Sequence, residues 1–172
     1  MESYDKLVLS TGAPSIHPPL PGIDLPGIFP VRTVPDARKI REWLEKGSPF
    51  LAGMYRYSGF QTVRPKTRAV IVGGGFIGLE MGENLVHRGF DVNLLQRGNQ
   101  VLNPIDVEMA RVVESHVAQH GVQVHLNDGA AEFRQGESSP LEVVTESGKV
   151  YPADVVILGI GVRPDTTLAT MG

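Results

Sequence analysis

Apolar positions follow two rhythms along this chain, one continuous or alternating and one helical. Ala69-Val70-Ile71-Val72 and Val155-Val156-Ile157-Leu158 are unbroken apolar runs, as expected for strands covered on both faces. Asp91–Leu95 reads as a second strand after the helix, and Val122-Gln123-Val124-His125-Leu126 alternates, so both are predicted to join the same sheet. Between the strands the spacing changes to that of helices. Ile77, Met81, Leu85 and Val86 fall on one side of a helix predicted over Phe76–His87, with Gly89 as its stop. Ile105, Met109, Val112, Val113 and Val117 form the stripe of a second helix. Asn103 is its expected N-cap, Pro104 its first helical residue and Gly121 its end. Ala130–Arg134, Leu141–Thr145 and Lys149–Tyr151 are separated by the turn signals Gln135-Gly136-Glu137 and Ser147-Gly148, the pattern of an antiparallel meander. The fold class predicted is α/β: a Rossmann-like three-layer domain with a parallel sheet and a small antiparallel β-meander.

The amino-terminal part is organised differently. Lys6–Ser10 reads as a strand, after which Pro14, Pro18, Pro19, Pro21, Pro26, Pro30 and Pro35 predict an extended connector. Thr33-Val34-Pro35-Asp36 has the form of a capping box, and Val34, Ala37, Ile40 and Leu44 recur at helical spacing until Gly47. Ser48 to Lys66 has no period, and its aromatic residues Phe50, Tyr55, Tyr57 and Phe60 fit a surface loop packed on another element. Three segments result: a strand and connector over 1–32, a helix and irregular loop over 33–66, and a Rossmann-like unit over 67–172.

The strand before position 73 runs directly into Gly73-Gly74-Gly75-Phe76-Ile77-Gly78, where the first, third and sixth residues are glycine. At a strand-to-helix turn each of these glycines has a physical task. Gly73 lets the chain leave the strand sharply, Gly75 leaves no Cβ between backbone and an approaching pyrophosphate, and Gly78 lets the helix pack closely on the strand. Amide groups and the dipole at the helix start favour an anion. The spacing alone is also met by ordinary glycine-rich turns. The following helix and the strand Asp91–Leu95 complete the βαβ unit that gives it a dinucleotide reading.

Composition narrows the function classes. A net charge of −3 over 172 residues provides no basic field for nucleic acid or an anionic membrane. No signal-peptide pattern opens the chain and no apolar run is long enough to span a bilayer, so a cytoplasmic location is the default expectation. The chain has no cysteine, which excludes a thiol nucleophile, a disulfide redox centre and a cysteine-based metal site within it. His116 and His120 stand four apart on a predicted helix, but no convincing third and fourth ligands accompany them, and no metal site is expected.

Three stretches together resemble the NAD(P)H-binding domain of the FAD-dependent pyridine nucleotide-disulfide oxidoreductases. They are Val72 to Glu80, Gln100-Val101-Leu102-Asn103-Pro104-Ile105-Asp106 and Gly159-Ile160-Gly161-Val162-Arg163-Pro164-Asp165. The second and third look most like the branch of coenzyme A disulfide reductases, NADH oxidases and persulfide reductases. Tyr4 to Ala13 resembles the strand by which such enzymes leave their FAD domain. The resemblance implies a middle domain excised from a larger flavoenzyme, with the FAD-binding motifs, the redox cysteine and the dimerisation domain lying elsewhere. On that basis no catalytic residue is expected in the fragment, and the fragment alone is expected to be inactive.

The same resemblance lays a nicotinamide dinucleotide across Gly73, Gly74, Gly75, Phe76, Ile77 and Gly78. It places Glu80 near the nicotinamide end, and Ile160 and Gly161 beside the cofactor at the carboxyl end of the last strand. Glu80 has a plain alternative as a favourable charge near a helix N-terminus. Gln96 departs from the pattern, because NAD-specific sites usually carry there an acid that binds the ribose hydroxyls. Neighbouring Arg97 reads either as a 2′-phosphate contact or as a solvated surface charge. NADH is the expected dinucleotide, with NADPH an open alternative. Two rivals share these features: a ferredoxin or rubredoxin reductase domain, and a non-catalytic NADH-sensing module.

Overall fold

The computed structural model describes residues 3–46, 67–137 and 139–171; the aromatic segment Ser48 to Lys66 lies outside them. Five strands form one parallel sheet in the order β1-β8-β2-β3-β4. They are β1 (Ile28–Pro30), β2 (Arg68–Val72), β3 (Asp91–Leu95), β4 (Val122–His125) and β8 (Val155–Leu158). Three more, β5 (Ala130–Arg134), β6 (Leu141–Thr145) and β7 (Val150–Ala153), form the antiparallel meander. The helices are α1 (Val34–Lys46), α2 (Phe76–His87), α3 (Val107–Gln119) and the short α4 (Thr167–Thr170).

Alternation along the central strands divides the interior in two. Ala69 and Ile71 of β2 join Val92, Leu94 and Ile157 in a core shared with Ile40 of α1 and Leu85 of α2. Val70 and Val72 turn the other way and join Leu95, Val156 and Leu158 against Phe133, Leu141 and Val143 of the meander. The three layers are therefore helices, parallel sheet and antiparallel sheet. With both faces covered, β2 and β8 contain no solvated side, which is why they read as unbroken apolar runs.

Local chemistry explains the start of α1. Thr33 and Asp36 bond reciprocally, the Thr33 N–H donating to Asp36 Oδ2 at 2.9 Å and the Asp36 N–H to Thr33 Oγ1 at 3.4 Å. The helix is tied to the sheet by Trp43, whose Nε1–H donates to the Asp154 carbonyl at 2.9 Å. Asp154 also receives the Arg68 N–H at 2.7 Å and an Arg68 guanidinium N–H at 3.1 Å, a pair in which the carboxylate side chain is only 4% exposed.

Four local expectations are corrected. Lys6–Ser10 is not a strand: Leu7, Val8 and Leu9 are exposed, and the antiparallel partner is taken by the residues just after them. Ser15 bridges Val162, and the Arg163 and Asp165 amides donate to the carbonyls of Pro14 and Gly12 at 2.9 and 3.0 Å. The amino-terminal segment instead supplies β1, an edge strand whose terminal Pro30 removes no central ladder bond. Third, the second Rossmann helix does not start at Asn103-Pro104. Leu102 stands at φ 47°, the Ile105 N–H closes a turn onto the Leu102 carbonyl at 2.9 Å, and the extended Asp106 becomes the N-cap of α3. Its apolar stripe is also narrower than expected, for Met109 and Val112 are exposed while Ala110, Val113 and Val117 pack inward. Last, the final meander strand begins and ends later, at Val150–Ala153.

Candidate functional site

Parallel pairing aligns the carboxyl ends of three strands, with Val72 opposite both Leu95 and Leu158. The segments that follow them, Gly73–Gly75, Gln96–Arg97 and Gly159–Gly161, therefore emerge side by side. The chain leaves β2 toward β3 and β4 on one flank and returns as β8 on the other. A crevice opens at such a switch in direction. Here it is a cleft of about 600 Å³, within the range of small-molecule sites.

Gly73 makes the turn at φ 108°, and a Cβ there would lie 2.4 Å from the Gly159 carbonyl oxygen. Gly78 is buried beneath the loop, where a Cβ would lie 1.9 Å from the Gly73 oxygen. Gly75 is different. It is the N-cap of α2 with an ordinary φ of −80°, and the nearest atom to a Cβ would be the Gly159 oxygen at 3.9 Å. Neither backbone conformation nor packing requires glycine at position 75; its missing side chain leaves room in the cleft wall. The first N–H groups of α2 lack intrahelical acceptors by the geometry of any helix start, and they open beside that space.

Two segments brace the loop. The Gly74 N–H donates to Gln96 Oε1 at 2.9 Å, so the glutamine at the end of β3 holds the glycine turn directly. Behind it, the Leu102 N–H donates to the Gly74 carbonyl at 2.8 Å, and Val101 packs where a Gly74 Cβ would be. The stretch Gln100 to Asp106 thus serves as a buttress. Its backbone is fixed by Gln100 Nε2–H on the Ile105 carbonyl at 2.9 Å and by the Val101 N–H on Glu114 Oε1 at 3.0 Å.

Arg97 lies at the rim, 68% exposed, with its guanidinium 2.7 Å from Glu146 Oε1. Both side chains stand over Gly129, where a Cβ would meet Arg97 Nε at 2.9 Å and Glu146 Oε2 at 3.1 Å. The turn carrying Glu146 is secured by its N–H on the Gly129 carbonyl at 2.8 Å and by Asp128, which receives the Ser147 N–H and hydroxyl at 3.0 and 2.7 Å. Burial pushes the Asp128 carboxyl up, but hydrogen bonds from Ser147 and Thr145 and the nearby Lys149 outweigh it and hold the group below its ordinary range. Burial lowers the pKa of the neighbouring His125 imidazole, whose ring meets that of Tyr151 at a tilt, centroids 4.8 Å apart.

Of the residues singled out in the sequence, Gly73, Gly74, Gly75, Gln96, Arg97, Ile160 and Gly161 line the cleft together. Phe76 and Glu80 do not; they are exposed and line a separate groove between α2 and α3. Ile77 is half-buried and lines neither, and Gly78 acts through packing. His116 and His120 also border that groove, stacked at 4.2 Å, with the His120 Nδ1–H donating to the His116 carbonyl at 2.7 Å. Among the described residues no three His, Asp or Glu side chains come together to hold a metal ion, and no helix is long and apolar enough to cross a membrane. The far wall of the cleft escaped the sequence reading. Ile16, Pro18, Pro19 and Leu20 come from the connector, and Gly129, Ala130 and Phe133 from the meander. No local spacing signals them, because the Pro21 carbonyl accepting the Phe133 N–H at 2.8 Å joins segments far apart in sequence.

A parallel sheet with helices on one face and an antiparallel sheet on the other, opened by a glycine turn at its direction switch, defines a Rossmann-like α/β domain. The chain belongs to the pyridine nucleotide-disulphide oxidoreductase family, whose pattern it matches over residues 2–172. It is 37% identical over 168 residues to an NADH oxidase of Methanocaldococcus jannaschii, covering 97% of this chain and 33% of that protein. It is 35% identical over 167 residues to a CoA-dependent NAD(P)H sulfur oxidoreductase of Pyrococcus abyssi, covering 96% and 33%. The reduced Bacillus anthracis CoADR-RHD superposes with a TM-score of 0.78 at 38% identity, over 98% of this chain and 27% of that one. The chain thus spans about a third of the length of the curated relatives it matches.

Proposed function

We propose that this chain is the nicotinamide dinucleotide-binding domain of a larger FAD-dependent oxidoreductase, one that passes hydride from NAD(P)H to FAD and on to a disulfide, persulfide or oxygen acceptor. The single observation that carries the binding half of this reading is Gly75. A glycine with ordinary backbone angles and no crowding neighbour, set at a helix start in the wall of a cleft, fits a backbone that must be approached by a phosphate. The names of the relatives, an NADH oxidase and an NAD(P)H sulfur oxidoreductase, support the oxidoreductase half.

The residues take distinct roles in this proposal. Gly73 and Gly78 set the turn and the helix, and the amides opening α2 receive the pyrophosphate. Gln96 holds the turn through Gly74 and leaves its amide N–H donors for a ribose hydroxyl, so a neutral group stands where an acid would reject a 2′-phosphate. Ile160 and Gly161 form the floor past β8. The bound dinucleotide supplies the hydride, and the flavin that receives it belongs to the part of the parent chain outside these residues. The chain's own groups bind and orient.

Calorimetric titration of NADH into the chain tests the reading, with Gly75→Val as the comparison. Binding by the parent, abolished by valine with the fold retained, is the expected result; no NADH oxidation above background should accompany it. Equal binding by both proteins refutes the proposed site.

A further inference from the structure

Among the described residues, the cleft has one charged device that the binding role above does not use: the Arg97–Glu146 pair. Its members come from different layers, Arg97 from the residue pair after β3 and Glu146 from the turn between β6 and β7. Gly129, which lines the cleft, lies directly beneath both groups. That turn is anchored by backbone contacts and by Asp128, so the Glu146 carboxylate is delivered to the rim rather than left to wander.

We propose that Glu146 is a specificity-determining residue of the dinucleotide site, acting by occupying Arg97 and opposing a 2′-phosphate. This rests on the dinucleotide reading above and concerns which form, with or without the phosphate, the site takes. An arginine next to the end of the second strand is the group that receives a 2′-phosphate in such folds. Here one face of that guanidinium is held by a carboxylate at 2.7 Å. A phosphate arriving at the same arginine competes for its donors and meets a negative charge. Because a phosphate monoester carries about −1.5 to −2 charge at neutral pH, its repulsion by Glu146 exceeds that of a single charge pair. The tether works in the opposite direction by keeping Arg97 ordered at the rim. With Arg97 68% exposed and Glu146 46% exposed, that ordering is weak and the charge effect wins. Lys149 is engaged with Asp128, at 3.8 Å, and does not neutralise Glu146 through that contact.

The test titrates NADH and NADPH into the 172-residue chain and into Glu146→Gln, Glu146→Ala, Arg97→Ala/Glu146→Gln and Gly75→Val. Glutamine keeps the acceptor oxygen and removes the charge. Glu146 holds its neighbours through its backbone N–H, so both replacements keep the turn. In Glu146→Gln the ratio of NADPH to NADH affinity should rise about fivefold, the scale of a screened charge interaction in a partly solvated site. Alanine should act in the same direction. The rise should shrink at high salt, and it should be smaller in the double variant, which relieves the repulsion but also lacks the arginine that the phosphate would meet. A ratio unchanged in both Glu146 variants, with binding of both dinucleotides lost in Gly75→Val, overturns the role of Glu146 and leaves the site reading standing. A rise as large in the double variant as in Glu146→Gln overturns the mechanism through that arginine. Full binding by Gly75→Val overturns the site reading itself, and this inference with it.

Discussion

Replacing Gly78 by alanine is the sharpest test of how the glycine turn is built. The added Cβ would stand 1.9 Å from the Gly73 carbonyl oxygen. An ordinary carbon–oxygen contact is about 3.3 Å, so helix and loop must separate by roughly 1.4 Å. Neither side yields easily: the obstacle is a backbone atom of a residue held at φ 108°, and space on the other side is short too, for a Cβ at Gly159 would lie only 3.2 Å from the Gly78 backbone. Overpacking of this kind costs about 3 kcal/mol when no side chain can rotate away. Alanine recovers about 1 kcal/mol of helix propensity over glycine, so the strain wins and the net loss is about 2 kcal/mol. For a chain of this size that corresponds to a melting temperature lower by about 4–8 °C. Urea and thermal unfolding followed by circular dichroism measure it. Gly75→Ala is the control, because its Cβ meets nothing closer than 3.9 Å and its φ is −80°; its stability should stay within about 1 kcal/mol of the parent. A Gly78→Ala protein as stable as the parent, or equal losses at both positions, would refute the steric account of the turn.

Three further outcomes are expected. Gln96→Glu retains the acceptor for the Gly74 N–H and adds a charge beside the ribose, so NADPH should bind about tenfold more weakly relative to NADH by calorimetry; an unchanged ratio removes position 96 from the specificity site. Asp154→Ala removes the buried acceptor of the Arg68 amide and guanidinium and should lower stability by about 2 kcal/mol in urea titrations, from the lost charge-assisted hydrogen bonds. Asp128 has a depressed folded pKa, so its contribution is complete above the ordinary carboxylate value of 3.8 and is lost as the pH falls below that value through the folded one. Acid unfolding of Asp128→Asn should show a shallower dependence on pH in that window, and an unchanged slope would count against the Ser147 clamp.

Much of this architecture was legible in the chain because it depends on near neighbours. Unbroken apolar runs at 69–72 and 155–158 could belong only to elements covered on both sides, and they are the two strands buried between the core layers. The glycines at 73 and 78 announced a strand-to-helix turn because the backbone angle at one and the close approach of the other to it are set within six residues. Turn residues at 135–137 and 147–148 likewise marked the meander. Tertiary structure alone decided which segments meet. Lys6–Ser10 has strand composition but no strand partner among the described residues, whereas the proline-bounded Ile28–Pro30 pairs with β8 because the sheet edge is free there. Asn103-Pro104 has the chemistry of a helix start, yet Leu102 is drawn onto the Gly74 carbonyl and the helix begins at Val107. Gln96 on Gly74, Arg97 with Glu146, and the cleft wall from Ile16 to Leu20 all join residues distant in sequence. Such contacts leave no periodic trace, because each partner satisfies its own local rule whether or not the other is present.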